Sequence, residues 1–165
     1  MLPIVINPKA VSVGLIGAGE ALARRQTMLA DAGIDPVSVS ANAPLDGLNV
    51  LFVAGLERDL SEGLAERARG QGILVNVEDV PDLCDFHVPA AIRRGDLVLT
   101  VSTGGQSPGL AKLIREWLER KLGFEWNARL KEMASGRAQW REQGHTPSEG
   151  SRRTRDFVRA RDWLS

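Results

Sequence analysis

Along its first hundred residues the chain alternates short apolar runs with segments of helical period, and beyond Leu110 only the helical period remains. Val11 to Ile16 is an apolar run ending in Gly17-Ala18-Gly19, and Glu20 to Ala32 follows with good helix formers and no Pro or Gly. Strand, glycine turn and helix are predicted in that order. Gly33 stops the helix, Pro36 blocks its extension, and Val37 to Ser40 alternates as a second strand. Asn49 to Ala54 predicts a third strand, Asp59 to Gly70 a helix, Ile73 to Val77 a fourth strand and Asp96 to Ser102 a further one. Strands alternating with helices argue for an α/β fold with a parallel, doubly wound sheet. Pro108 stands where a helix should start, because its missing N–H would be unpaired there anyway. Leu110, Leu113, Ile114, Trp117, Leu118 and Leu122 then recur at helical spacing. Gly123, Gly136 and the Gly144-His145-Thr146-Pro147 cluster divide this tail into three helices, the last starting at Thr146-Pro147-Ser148-Glu149.

The composition narrows the function classes. Lys plus Arg and Asp plus Glu each number 21 in 165 residues, so no global field draws the chain to nucleic acid or to an acidic membrane. The amino terminus lacks a basic segment followed by a long apolar one, and no apolar run approaches the ~20 residues that span a bilayer. A cytoplasmic protein with no membrane and no nucleic-acid partner is expected. The single cysteine, Cys84, excludes an intrachain disulfide and a multi-cysteine metal site; beside Leu83 and Phe86 it reads as a small core hydrophobe. No metal ligand set is expected.

Two polar, turn-rich signals follow apolar runs: Asn76-Val77-Glu78-Asp79 and Ser102-Thr103-Gly104-Gly105-Gln106-Ser107-Pro108. In an open α/β sheet, ligands bind outside the carboxyl ends of the strands, so two such signals in one sheet suggest a site. Asp79 there reads either as a general base or as a turn or cap residue ahead of Pro81. In the second signal, Gly104 and Gly105 allow positive φ, and N–H groups and the hydroxyls of Ser102, Thr103 and Ser107 gather near a helix start. That suits carboxylates or phosphates, and equally a polar turn with Ser107 as N-cap. Gly17-Ala18-Gly19 between strand and helix has the context of a dinucleotide fingerprint, yet Leu22 occupies the third fingerprint position and no acidic residue follows the second strand, where Ser40, Ala41 and Asn42 stand. The motif alone fits a nucleotide site and a glycine-cornered turn equally.

These residues together resemble the precorrin-2 dehydrogenase/sirohydrochlorin ferrochelatase family of sirohaem biosynthesis, which also forms the N-terminal part of fused sirohaem synthases. Leu2-Pro3-Ile4 is similar to the family's opening, Gly17-Ala18-Gly19 with Arg24-Arg25 to its GGG…RK segment, and Asn76-Val77-Glu78-Asp79 to its NVVD. Phe86-His87-Val88-Pro89-Ala90 is similar to F-x-x-P-A, and Arg94-Gly95-Asp96-Leu97 with Ser102 to Pro108 and Leu110-Ala111 to RGDL…STGG-x-SP-x-LA. The order and spacing of the pieces carry the resemblance.

The resemblance implies a Rossmann-like NAD-binding domain over residues 1–107, with a dimerisation segment at about 80–107, then a small helical domain over 108–165, and a homodimer. It implies NAD-dependent oxidation of precorrin-2 to sirohydrochlorin and, in many members, insertion of Fe²⁺ as a substrate. Asp79 would be the catalytic base, and Asn76, Ser102, Thr103, Gly104, Gly105 and Ser107 would bind the tetrapyrrole. Gly17, Ala18, Gly19, Glu20, Ala21, Ser40 and Ala41 would hold NAD.

The departures from the family fall on the NAD half. Only Asn42 to Asn49 joins the second and third strands, where relatives carry further chain including a strand. A crossover usually takes a dozen residues or more, and eight extended ones span at most ~28 Å. The sheet is therefore expected to lack one strand and the cofactor site its adenosine side. Ala54-Gly55-Leu56-Glu57 replaces an A-T-D-D-like turn, and Leu22 is the third departure. A chelatase that has lost NAD and a non-catalytic tetrapyrrole carrier or sensor are the alternative functions. The tail arginines, seven from Arg137 to Arg161, read as solvated helix faces, His87 as structural, and Trp117, Trp126, Trp140 and Trp163 as core or interface anchors.

Overall fold

The computed structural model describes residues 2–164. The chain divides into two compact units, at Val88/Pro89.

The first unit holds β1 (Val13–Gly17), α1 (Gly19–Asp31), β2 (Val37–Ser38), β3 (Val50–Ala54), α2 (Arg58–Arg69) and β4 (Leu74–Val77). Its four strands are all parallel, in the order β2-β1-β3-β4. β1 and β3 are central and buried on both faces, which is why they read as continuous apolar runs. The period of two still sorts their side chains. Val13, Leu15, Val50 and Phe52 pack under α1 with Leu22 and Leu29, whereas Ile16, Leu51, Val53, Val75 and Val77 pack under α2 with Leu64, Ala65 and Ala68.

The short link between β2 and β3 runs on the α2 face. Val39, Leu45 and Leu48 join that core, with Leu45 fully buried. The crossover rule explains the side: the chain moves one way across the sheet from β1 to β2 and back again from β2 to β3, so right-handed connections place α1 and the link on opposite faces. Arg67 on α2 secures the link by donating to the carbonyls of Ala41 and Ala43, the latter at 2.7 Å. No helix or strand forms between residues 39 and 49, so apolar side chains of an irregular strap cover the sheet there.

The second unit consists of the antiparallel hairpin β5 (Ala90–Arg94) and β6 (Leu97–Val101), followed by α3 (Pro108–Lys121), α4 (Glu125–Glu142) and α5 (Pro147–Ala160). Gly95 turns the hairpin at φ 63°, and a Cβ there would lie 2.1 Å from the Asn127 side chain on α4. Arg94, only 6% exposed, donates to the carbonyls of Leu122 and Glu119 at the end of α3 and lies 4.7 Å from the Phe124 ring centroid. α5 starts with the capping box read from Thr146 and Glu149.

Several expectations change. The strand expected over 37–40 forms only at Val37–Ser38, because Val39 turns into the core and a turn follows, Ala43 N–H bonding to Ser40 carbonyl at 3.0 Å. The strand expected over 96–102 is not part of the parallel sheet. It pairs with β5, which the sequence pattern had not revealed, because Ala-Ala-Ile-Arg-Arg offers one apolar β-branched residue among two small and two charged ones. The hairpin therefore groups with the helices rather than with the sheet, against the boundary expected after residue 107. Gly136 lies inside α4 and divides nothing, since Trp140 one turn later packs 3.6 Å from where its Cβ would stand.

Candidate functional site

Asp79 occupies the turn that leaves the carboxyl end of β4, with φ 60°, in the left-handed region that Asp tolerates better than most residues. It is exposed, and among the described residues its carboxylate makes no hydrogen bond and no ion pair. β4 is an edge strand, so the outward backbone groups of Val75 and Val77 lack a strand partner. Residues 84–86 supply one. Asp85 N–H donates to Val75 carbonyl at 2.8 Å, the Asp85 carboxylate accepts from Val75 N–H at 2.9 Å, and Cys84 Sγ accepts from Val77 N–H at 3.3 Å. Arg69 donates to the same Asp85 carboxylate at 2.8 Å, and Arg58 binds Asp82 from the start of α2. That bond from Arg58 holds the Asp82 carboxyl below the usual carboxylate range.

Asn76 is buried on the α1 face, opposite Phe52 in the β3–β4 register. Its amide donates to Phe86 carbonyl at 2.9 Å, while Oδ1 has no partner. Glu78 Oε1 lies 3.7 Å from Arg25 and 3.8 Å from Arg24, both on α1, and its Oε2 is buried without a partner. Arg25 in turn stacks on Phe52, which meets Phe86 edge to face. Glu78 and Arg25 escaped sequence reasoning as a pair because residues 53 apart in sequence meet only once the sheet forms. The charge of Glu78, at the second valine of the NVVD motif that the sequence resembles, was the available signal.

The glycine turn lies at the carboxyl end of β1. Ala18 N–H bonds to Ala54 carbonyl at 3.0 Å, and a Cβ on Gly17 would stand 2.1 Å from that same oxygen, so the turn is seated tightly on β3. Gly19 opens α1 at φ 60° with nothing within 4 Å of a Cβ position, and the first helical N–H to find a partner is that of Leu22. The backbone N–H groups of Gly19, Glu20 and Ala21 therefore face open space at a helix N-terminus, which fits a pyrophosphate. Ser40 is exposed and Ala41 half-buried beyond the two-residue β2, and neither offers a carboxylate for a ribose hydroxyl. The donor set fits NAD at its phosphates and provides little for the adenosine.

In the second unit, the loop before α3 uses most of its own polar groups. Thr103 Oγ1 accepts from Ser107 N–H at 3.1 Å and lies 3.0 Å from Ser107 carbonyl, Ser102 Oγ accepts from Gly104 N–H, and Ser107 Oγ caps α3 through Leu110 N–H. The sequence allowed both an anion pocket and a polar turn with Ser107 as N-cap; the cap forms, and the loop's own turn and cap consume the N–H groups of Gly104, Ser107 and Leu110, together with Gln106 N–H. The N–H groups of Gly105 and Gly109 remain, both with open space around their Cα. The two strand-end signals thus sit in different sheets and different units, not in one parallel sheet. The reason is that an apolar run before a polar turn marks the end of any half-buried strand, including a hairpin strand. Among the described residues no cluster of three or more His, Cys, Asp or Glu side chains could hold a metal ion, and no helix is long and apolar enough to cross a membrane.

A family model described as putative NAD(P)-binding matches residues 40–90, and one described as the central part of a sirohaem biosynthesis protein matches residues 94–121. The siroheme synthase of Methylococcus capsulatus is 33% identical over 141 residues, covering 72% of this chain and 30% of that protein. That of Nitrosomonas eutropha is 34% identical over 141 residues, covering 71% and 30%. The chain belongs to the precorrin-2 dehydrogenase/sirohydrochlorin ferrochelatase family. It spans about 30% of the length of the curated siroheme synthases it matches. The 141 aligned positions exceed the 72% of the 165-residue chain they fall on, so the relative carries residues with no counterpart here, in line with the short β2–β3 link. The solved structure of the precorrin-2 dehydrogenase SirC shares the fold of this family member, with a TM-score of 0.75 at 18% identity, covering 100% of this chain and 93% of that one.

Proposed function

We propose that the chain oxidises precorrin-2 to sirohydrochlorin with NAD⁺ as hydride acceptor, as a cytoplasmic enzyme of sirohaem biosynthesis. The observation that carries this reading is the Asp79 carboxylate, exposed and unpartnered on a left-handed turn at the end of β4, in the same unit as the open N-terminus of α1. NAD⁺, when bound, supplies the acceptor for the two electrons that leave the tetrapyrrole as hydride. The backbone of Gly17 to Ala21 would hold its phosphates, with Ser40 and Ala41 on the adenosine side. Asp79 takes the proton released with the hydride at a carboxylate oxygen, a role for which a free carboxylate within hydrogen-bond reach of its substrate suffices. Taken by itself, the second unit offers the free N–H groups of Gly105 and Gly109 to carboxylates, with Ser102, Thr103, Gly104 and Ser107 shaping the loop that presents them. Asn76 supports the turn from beneath.

The sparse adenosine side favours a second reading, a chelatase that inserts Fe²⁺ into sirohydrochlorin without NAD⁺. In that reaction Asp79 would accept a pyrrole N–H proton as the metal enters. The exposed apolar stripe of α3, Leu110, Leu113, Ile114 and Trp117, supports a homodimer.

Precorrin-2 supplied anaerobically with NAD⁺ tests the first reading through NADH formation, which Asp79→Ala should abolish. Sirohydrochlorin with Fe²⁺ tests the second. Metal insertion without NADH formation would select the chelatase, and tight tetrapyrrole binding with neither reaction would select a carrier.

A further inference from the structure

The sequence reads Cys84 as a small core hydrophobe, yet its thiol reaches both sides of the turn that carries Asp79. Sγ accepts from Val77 N–H at 3.3 Å and lies 3.1 Å from Val77 carbonyl and 3.4 Å from Val80 carbonyl. The Asn76 amide adds a contact at 3.5 Å. Residues 78 and 79 are therefore the tip of a loop whose two sides meet at one sulfur atom. The direct backbone bond between those sides is long, Val80 N–H reaching Val77 carbonyl at 3.4 Å. The partly buried side chain packs against the α2-face core and its thiol, in addition, lies within hydrogen-bonding distance of two backbone carbonyls, a backbone N–H and a side-chain amide.

The chemistry of the position is specific. Val77 presents both an N–H and a C=O at the open edge of the sheet, and where Asp85 serves the same two groups of Val75 with two atoms, the Cys84 thiol serves those of Val77 with one, accepting and donating as a thiol or a hydroxyl can. Burial pushes the Cys84 thiol pKa up, which keeps the proton that the carbonyls need. Bonds to sulfur are individually weak, so the effect expected is on the geometry of the loop tip more than on global stability. A left-handed Asp is costly to hold, and the surrounding structure must determine its conformation.

We propose that Cys84 is a positioning residue for Asp79: its thiol, bonded to both backbone groups of Val77, fixes the left-handed turn from which the Asp79 carboxylate acts. The inference rests on Asp79 being the base of the proposed reaction.

Full-length Cys84→Ser and Cys84→Val test it. Serine keeps a donor and an acceptor; valine, β-branched and somewhat larger, loses both. In Cys84→Ser, kcat for precorrin-2 oxidation stays within about threefold of the parent, whereas Cys84→Val loses about ten- to a hundredfold, as a misplaced reacting group does. KM for NAD⁺ changes by less than about twofold in both, since the glycine turn is untouched. The backbone ¹³C chemical shifts of Asp79, which report the left-handed conformation, stay parental in Cys84→Ser and move in Cys84→Val. Cys84→Thr, which has the shape of the valine variant but carries a hydroxyl, recovers the activity and the Asp79 shifts that Cys84→Val loses, and so separates the bonds to Val77 from the shape of the side chain. If the parent forms no NADH from precorrin-2, the functional reading fails, and the shift comparison, which needs no turnover, still tests the coupling of Cys84 to Asp79. Parental kcat and parental Asp79 shifts in Cys84→Val, with only a lowered melting temperature, would overturn the proposal.

Discussion

Asp85 pairs with Val75 across the open edge of the sheet as a neighbouring strand would, with its backbone N–H in one direction and its side-chain carboxylate in the other, at 2.8 and 2.9 Å. An exposed parallel edge is thereby closed without a fifth strand. The segment that closes it, Cys84 to Phe86, also touches Val77 through Cys84 and Asn76 through the Phe86 carbonyl. The turn bearing Asp79 is therefore enclosed by contacts that begin with one aspartate and one valine.

Replacing Asp85 by alanine should cost ~2 kcal/mol in unfolding free energy, because it strands the Val75 N–H and leaves Arg69 with the Leu83 carbonyl alone. Asparagine keeps an acceptor for Val75 and should cost about half as much. Urea unfolding of the two variants against the parent measures both. Equal losses in the two would place the effect in the Arg69 ion pair alone.

Much of this was legible in the sequence because most of these elements are dictated locally. Apolar β1, β3 and β4, the stop at Gly33 and the helix start at Pro108 each carry their signal within a few residues. The assignment of β6 failed for the converse reason. Its apolar run is compatible with any sheet, and only its pairing with β5, through five residue pairs from Arg94–Leu97 to Ala90–Val101, places it in the hairpin. The internal use of the Ser102–Ser107 donors was likewise invisible, since a residue type announces a hydrogen-bonding group but not its partner. The Glu78–Arg25 contact and the Cys84 bonds to Val77 arise from tertiary placement of the same kind.

Asp79→Gly should raise the stability of the chain by ~1 kcal/mol while removing turnover. The φ of 60° at this position strains any residue with a Cβ, and glycine relieves it. Thermal or urea unfolding, paired with NADH formation from precorrin-2, reads the two effects together. A destabilised Asp79→Gly would mean that the carboxylate itself supports the turn.

The start of α5 should depend on pH through Glu149. The Thr146 backbone N–H, at 2.8 Å, and then its hydroxyl, at 3.0 Å, bond the carboxylate and hold its pKa below the usual carboxylate range. Because the folded value lies below the unfolded one, the stabilisation is fully present above the unfolded pKa and disappears as pH falls through the folded value. Titration of the Glu149 carboxyl by NMR should therefore show a midpoint that rises toward the ordinary range in Thr146→Ala. The amides of the first turn of α5 should exchange faster once the pH is below that midpoint.

Arg94 should prove the least replaceable charged residue of the second unit. The residue is 6% exposed, and its guanidinium donates to Leu122 carbonyl at 2.8 Å and Glu119 carbonyl at 3.3 Å and lies 4.7 Å from the centroid of the exposed Phe124 ring. The planar fork satisfies two of the carbonyls that the end of α3 leaves open, which a lysine ammonium cannot do in the same geometry. Arg94→Ala is expected to cost ~3 kcal/mol, from buried carbonyls left unpaired and the lost packing on Phe124. Arg94→Lys should recover only a minor part. Hydrogen exchange at the last turn of α3 distinguishes this origin from a general loss of charge: its amides should lose protection in both variants, while those of α1 and α2 in the first unit keep theirs.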